Sequence, residues 1–232
     1  MVDIVPALLE AIENDFKRLF EESSTIKAIK KLIAKGAATY AEANAFAAET
    51  GRLLVQAFKK NLSSAVLPEG KMYFNIAERI LGSTLGDNHK LIASTAAKIQ
   101  EDLNKAAGIG IKAVEIKLDK DKIKGFVDRI SAEPMYDDVA WILDKPVINN
   151  SLSIVDATIK ANAELHARVG LSPKIVRTPS GGACEWCRAV AGTYAYPDVP
   201  DDVYRRHDNC YCSVDYNPGD GKSQNVHSKR WV

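Results

Sequence analysis

Apolar residues recur at helical spacing through about the first 170 residues of this 232-residue chain, and the pattern then ends. Near the start, Val5, Ile12 and Phe16 share one helical face, while charged residues occupy the others. The chain is 46% hydrophobic and 26% charged, which is enough apolar material for a core and enough charge for solubility. These features predict a mainly α protein with a multi-helix body.

Capping and breaking residues divide the helical region. Thr39 with Glu42 forms a capping-box pattern, and Asp119 and Ser151 are further predicted caps. Gly82 is one of the predicted stops. The helices predicted in this way cover about 3–22, 24–35, 39–62, 76–82, 87–107, 119–130 and 151–169, with a short segment around Trp141. In residues 109–118 the apolar residues mostly alternate, so a strand competes there with a helix.

After Gly170 the sequence becomes rich in Gly, Pro, Asp and Tyr. Only Lys174 to Arg177 suggests a strand, and large aliphatic residues are few. A segment of this size usually needs a metal, disulfides or a neighbouring surface to stay folded. We therefore predict two parts, a helical body in residues 1–170 and a small, turn-rich α+β module in residues 171–232.

All four cysteines lie in this second part, within 184–212. Cys184 and Cys187 form a C-x2-C pair, and His207 precedes the pair Cys210 and Cys212. Thiolate and imidazole donors without a carboxylate favour zinc over magnesium or calcium. The spacing predicts a structural zinc site that stabilises the module, with four of these five residues as ligands.

Several alternatives to this site stay open at the level of sequence. The spacing does not decide which four residues bind the ion. If Cys210 and Cys212 lie in a strand, they project to the same side, and all four cysteines could be the ligands. Alternatively, His207 replaces one of the cysteines. Disulfides or free thiols are an alternative to the metal. A catalytic metal or a nucleophilic cysteine is another, although His207 has no H-x-E or H-E-x-x-H partner that would act as a general base.

Three other functions use the same part of the chain. His207 and Asn209 are residue types of a thiol protease, but they are too close in sequence to converge readily on one cysteine. An HNH-like, metal-dependent nuclease acting on DNA would use His207, Asn209, Asn225 and His227. A zinc-ribbon protein would bind nucleic acid in a salt-dependent way through Arg205, Arg206, Lys229 and Arg230.

The remaining ionisable features suggest no second site. The lysine-rich stretches 27–31 and 117–124 are interleaved with isoleucine and aspartate, as on the solvated face of an amphipathic helix. His89 and His166 stand alone in helical stretches and are expected to be ordinary helix residues. Neither a standard export signal nor an apolar stretch long enough to span a membrane is found, so we expect no membrane partner.

The order of residues in 184–214 resembles the C-terminal motif of the phage Mu F-like head-morphogenesis proteins, which are minor capsid proteins of tailed phages and prophages. The resemblance consists of C-x2-C, then Gly192 with Tyr194, then two prolines, and finally H-x-N-C-x-C. The family commonly has His-Pro-Asn-Cys-Arg-Cys, whereas this chain has Asp208 for the proline and Tyr211 for the arginine. A tryptophan-containing strand expected before C-x2-C is replaced by KIVRTPS.

The resemblance implies a non-enzymatic virion component, made in the host cytoplasm and placed near the portal in few copies. Its implied partners are the portal and other capsid proteins. Contact with packaged DNA and oligomerisation within the virion are left open. The helical body would supply protein contacts, and Cys184, Cys187, His207, Cys210 and Cys212 would organise the module.

Overall fold

Helices form most of the chain up to residue 168, as the apolar periodicity predicts. The computed structural model describes residues 3–207, 210 and 212–218, together with the backbone of 224–225 and 230–231. The helices of the body are α1 (Val5–Glu22), α2 (Ser24–Ala34), α3 (Tyr40–Asn61), α4 (Phe74–Ala106), α5 (Lys120–Ala132), α6 (Tyr136–Val139) and α7 (Lys145–Arg168). Short 3₁₀ turns occupy Pro68–Gly70 and Ala140–Leu143. None of the helices described combines the length and apolar character that crossing a bilayer requires.

Two of the predicted caps are confirmed. The Thr39 backbone N–H donates to Glu42 Oε2 at 2.8 Å, and the Thr39 side chain accepts from the first turn of α3, which completes the capping box. Asp119 Oδ1 accepts from the backbone N–H groups of Asp121 and Lys122 at the start of α5. Polar side chains at these positions therefore satisfy backbone donors that the helix cannot pair internally.

The predicted stop at Gly82 is wrong, because α4 continues through it to Ala106. Leu81 and Leu85 on either side of Gly82 are almost fully buried, while Gly82 itself is exposed. Burial of each leucine contributes roughly 2 kcal/mol, and a helical glycine costs about 1 kcal/mol. Apolar packing therefore outweighs the poor helix propensity of this one residue.

The predicted cap at Ser151 is also wrong. Helix α7 begins six residues earlier, where Pro146 occupies the first turn, a position that needs no backbone N–H. Ser151 lies inside the helix, and its hydroxyl donates to the Val147 carbonyl at 3.0 Å. Serine is a common capping residue, but the Ser151 hydroxyl instead bonds back to the preceding turn of the same helix.

Residues 109–118, all of them described, form neither a strand nor a helix. Side chains of the neighbouring helices satisfy their backbone instead. Asn162 accepts from the Val114 N–H at 2.8 Å and donates to the Val114 carbonyl at 3.1 Å. Asn104 donates to the Ile111 carbonyl at 2.9 Å. These amides provide what a partner strand would otherwise supply.

The C-terminal part contains a small antiparallel sheet with strand order β2-β1-β3. Its elements are β1 (Lys174–Thr178), a five-residue helix α8 (Glu185–Ala189), β2 (Gly192–Ala195), a 3₁₀ turn (Asp201–Tyr204) and β3 (Ser213–Asn217). Strands β4 (Gln224–Asn225) and β5 (Arg230–Trp231) pair separately. The predicted strand at Lys174–Arg177 and the small α+β character are confirmed, whereas the helix α8 was not predicted.

The sheet packs on the helical body through one of its faces. Ile175, Val214 and Tyr216 are at most 3% exposed and belong to the same apolar cluster as residues of α3 and α7. Asn44 on α3 donates to the Val214 carbonyl at 3.4 Å, and His166 on α7 bonds to the Tyr216 hydroxyl. The module is thus stabilised by a neighbouring surface. Its division from the body at residue 170 stays a prediction.

We expect Gly51→Ala to lower the free energy of unfolding by about 1–3 kcal/mol. A Cβ atom on Gly51 would lie 2.8 Å from Ser151 Oγ and 3.0 Å from Ile148 Cα, so the contact between α3 and α7 would have to open. Gly82→Ala is the control, since a Cβ there meets nothing within 4 Å, and it should raise stability by about 0.5–1 kcal/mol. Urea denaturation measures both, and equal effects would contradict the prediction.

Candidate metal centre

The first cysteine pair is shaped by helix α8. Cys184 is its N-cap residue, and the Cys184 Sγ atom accepts the backbone N–H of Cys187 at 3.5 Å. One turn of helix therefore presents both thiols on the same side. Cys184 is exposed, whereas Cys187 is only 1% exposed. A five-residue helix between glycines gives too short a periodicity to be found from sequence.

His207 reaches this pair from the chain segment that follows the last 3₁₀ turn. Its Nε2 atom lies 2.9 Å from Cys187 Sγ and 3.2 Å from Cys184 Sγ. The His207 carbonyl accepts from Asn149 Nδ2 at 3.0 Å and from the Cys210 N–H at 3.1 Å. The imidazole is thus placed by main-chain contacts with α7 and with the second cysteine pair.

Cys210 and Cys212 complete the cluster from the other side. Both are 2% exposed, and Cys210 Sγ lies 3.6 Å from Cys187 Sγ. Neither lies in a strand, since β3 begins only at Ser213. They are nevertheless both buried. All four cysteines are described and none forms a disulfide, whose sulfur atoms would be about 2.05 Å apart.

The five predicted residues form two overlapping groups of possible metal ligands. Cys184, Cys187 and His207 make one group, and Cys187, Cys210 and Cys212 make the other; within each, the ligand atoms lie within 4.8 Å of one another. Tetrahedral zinc geometry separates neighbouring sulfur and nitrogen ligands by roughly 3.5–3.8 Å. The Cys187–Cys210 separation of 3.6 Å lies in this range, and the distances from His207 Nε2 to Cys187 and Cys184, 2.9 and 3.2 Å, are shorter. The cluster could bind a metal ion. Cys187 is common to both groups.

A buried arginine that the motif did not suggest contacts the cluster. Arg177 on β1 is 1% exposed, and its Nη2 atom lies 3.5 Å from Cys210 Sγ and 4.0 Å from Cys187 Sγ. Its Nη1 atom donates to the Val203 and Arg205 carbonyls. The sequence did contain a signal. Arg177 lies two residues after the buried Ile175, and so on the inward face of the strand.

The surroundings shift the acidity of two thiols in opposite directions. Burial raises the pKa of Cys187 to about 12, and hydrogen bonding with the Cys212 and Cys210 thiols acts in the same direction. Burial also opposes ionisation of Cys212, but the Ser180 backbone, the neighbouring thiols and the charge of Arg177 lower the pKa of Cys212. The protein environment therefore favours negative charge at Cys212 over Cys187.

A second buried arginine attaches the loop before Cys210 to the helical body. The Arg206 side chain is 2% exposed and binds both carboxylate oxygens of Asp156 on α7, at 2.5 and 2.7 Å. It also donates to the Cys212 carbonyl at 2.8 Å and to Asn44 Oδ1 on α3 at 3.1 Å. Arg206 is therefore unavailable to nucleic acid, contrary to its role in the zinc-ribbon hypothesis.

Other predicted residues lie apart from the cluster or outside the described residues. His89 bonds to the Ile116 carbonyl through Nε2, and His166 is buried against Tyr216, so both are helix residues as expected. The lysines of 27–31 and 117–124 are exposed. Outside the described residues lie Asp208, Asn209, Tyr211, His227 and Lys229, as do the side chains of Asn225 and Arg230.

Comparison of the chain with protein-family models, with curated proteins and with solved structures finds no match. The assignment of a function therefore depends on the sequence motif and on the geometry of the cluster.

We expect Asp156→Ala to lower the free energy of unfolding by about 3–5 kcal/mol, because the Arg206 guanidinium would stay buried without its counter-charge. The matched control is Asp201→Ala, which removes a carboxylate from an exposed pair with Lys160. That change should cost less than about 1 kcal/mol. Urea denaturation measures the free energy of unfolding of both variants. A loss at Asp156→Ala as small as that of the control would show that water reaches the Arg206–Asp156 pair.

Proposed function

We propose that this protein is a minor capsid protein of a phage or prophage, of the Mu F-like head-morphogenesis class, in which the C-terminal cluster holds a structural zinc ion. One observation carries the proposal: the cysteines and the histidine of the recognised motif converge in space. Residues that only coincidentally matched a motif across 184–212 would have no reason to meet.

The donor set supports zinc as the ion. The two groups contain sulfur and imidazole nitrogen ligands and no carboxylate, which disfavours magnesium and calcium. Cys187, Cys210 and Cys212 are buried, so an ion held by them would be largely shielded from water. A structural zinc ion has four protein ligands and no open position, whereas a catalytic one retains a water. The cluster would serve to stabilise the loop that carries His207.

The connection between cluster and body supports a role in assembly. Arg206 and Asn149 attach the cysteine-bearing loop to α7, so the loop and the helices present one fixed surface. In the proposed role, that surface contacts the portal and other capsid proteins. Packaged DNA and further copies of the chain are additional candidate partners, and the protein would reach the virion after synthesis in the host cytoplasm.

Purified protein should contain roughly one zinc ion per chain, and Cys187→Ser should lose it and lower the melting temperature, because Cys187 belongs to both ligand groups. Glu185→Gln is the control, since this exposed neighbour on α8 belongs to neither group. Metal analysis by mass spectrometry and thermal denaturation provide the readouts. Protein that contains no metal and melts unchanged in EDTA would contradict a zinc site.

The virion role is tested separately. Mass spectrometry of purified heads should detect the chain in few copies, and a portal gene should lie just upstream of its gene. Heads assembled with the Cys187→Ser variant should show reduced infectivity, while Glu185→Gln should behave as the wild type. Absence of the protein from purified heads, together with no portal gene nearby, would contradict the proposal and favour the nuclease alternative. Nicking of plasmid DNA would then be assayed.

A further inference from the structure

A cavity of about 560 Å³ lies on the side of α7 that faces α5. Its walls come from α5, the 3₁₀ turn Ala140–Leu143, the first turns of α7 and the segment 204–206. The volume falls within the usual range of small-molecule sites, about 300–1,000 Å³. None of the five predicted metal ligands lines it.

The lining of this cavity is cationic. It includes Lys122, Arg129, Arg205 and Arg206, and it contains no aspartate or glutamate. Arg206 is neutralised by Asp156, and Arg205 pairs with Asp202. Among the described residues, neither Lys122 nor Arg129 has a carboxylate oxygen within 4.0 Å, although Lys122 interacts electrostatically with Asp156 at longer range. Their positive charge is therefore available to an anion.

These two cations are placed on the same side of α5. They are seven residues apart, close to two full turns, which corresponds to about 10 Å along the helix axis. The Lys122 ammonium lies 3.3 Å from Ser153 Oγ on α7, and the Arg129 guanidinium stacks 5.0 Å from the centre of the Trp141 ring. These weak contacts leave most of their donors free. Long side chains at both ends of the cavity can reach one anionic group between them.

Neutral polar groups and apolar walls indicate the rest of the ligand. The Tyr204 hydroxyl is buried and has no hydrogen-bond partner among the described residues. Because this hydroxyl is closed off from solvent, Tyr204 lines the cavity with its other atoms. Phe126, Ile142 and Pro146 supply apolar surface beside the cations. This combination fits an anion joined to a flat, partly apolar body.

We infer that the cavity binds the phosphate of a nucleotide, with Lys122 and Arg129 neutralising the phosphate and the aromatic and aliphatic walls covering the base. The nucleotide would be either free or part of a nucleic-acid strand, since both offer the same phosphate and base. This inference does not depend on the metal centre or on the virion role. It assigns a ligand to a surface that the Cys/His motif does not include.

Calorimetric titration with a deoxynucleoside monophosphate and with a short single-stranded oligonucleotide tests the inference. The Lys122→Gln/Arg129→Gln variant should bind the nucleotide about tenfold more weakly or worse, because it loses two charge-assisted hydrogen-bond donors. Lys120→Gln/Lys124→Gln is the matched control, with the same loss of charge from the same helix but outside the cavity. It should change the affinity less than about twofold.

The outcomes are separable. Preference for the monophosphate identifies a free nucleotide as the ligand, and preference for the oligonucleotide identifies a strand; either supports the site. Absence of saturable binding to both probes overturns it, as does an equal loss in the control variant. Inorganic phosphate that binds as tightly as the nucleotide would overturn the assignment of the apolar walls to a base. An unchanged circular-dichroism spectrum and melting temperature in both variants verify that each is folded.

Discussion

The ion pair between Arg206 and Asp156 determines where the cysteine-bearing loop can lie. The loop contributes His207, Cys210 and Cys212 to the cluster, yet its described residues 205–207, 210 and 212 belong to no helix or strand. A single guanidinium group connects it to both central helices, through Asp156 on α7 and Asn44 on α3. Buried ion pairs often add little net stability, but they impose a definite geometry. Here that geometry brings the two halves of the Cys/His motif together.

Arg177 complements this arrangement from the opposite side of the loop. It donates to the Val203 and Arg205 carbonyls, immediately before Arg206, and its other nitrogen faces the thiols. Aliphatic residues are scarce in this part of the chain, and two buried arginines satisfy backbone carbonyls where a larger protein would use apolar packing. A cluster of ionised thiols would in turn supply the negative charge that a buried guanidinium requires. In that state, the cation and the cluster would stabilise each other.

Capping residues and apolar periodicity predicted most of the helices. They failed where packing between distant segments determines where a helix begins or ends. Thr39 and Asp119 act as caps because their partners lie within three residues along the chain. Gly82 and Ser151 misled the prediction because buried leucines and Pro146, respectively, determine where those helices continue or begin. Residues 109–118 could not be assigned, since their backbone bonds to amides such as Asn162, far along the sequence.

The same distinction holds for the site. All five residues of the motif were identified from their chemistry and spacing, and those residues do converge. Arg177, Arg206 and Asp156 were not assigned to the cluster, because a charged residue in a sequence is ordinarily expected at the surface. The only sequence indication that Arg177 is buried was its position two residues after Ile175, which places both on the same face of the strand. Which four residues would hold an ion depends on distances of a few tenths of an ångström, and no sequence pattern encodes these.

The sequence separations within the centre also bear on the order of folding. Cys187 and His207 are 20 positions apart, whereas Arg206 and its partner Asn44 are separated by 162. Closing the shorter loop costs less chain entropy, by about 2 kcal/mol when the cost grows as the logarithm of loop length. We expect the turn from Cys187 to His207 to form early and to dock as a preformed unit on the helices afterwards. If, during refolding, the cysteines became protected from thiol reagents only after the module had docked on the helices, the order would be the reverse.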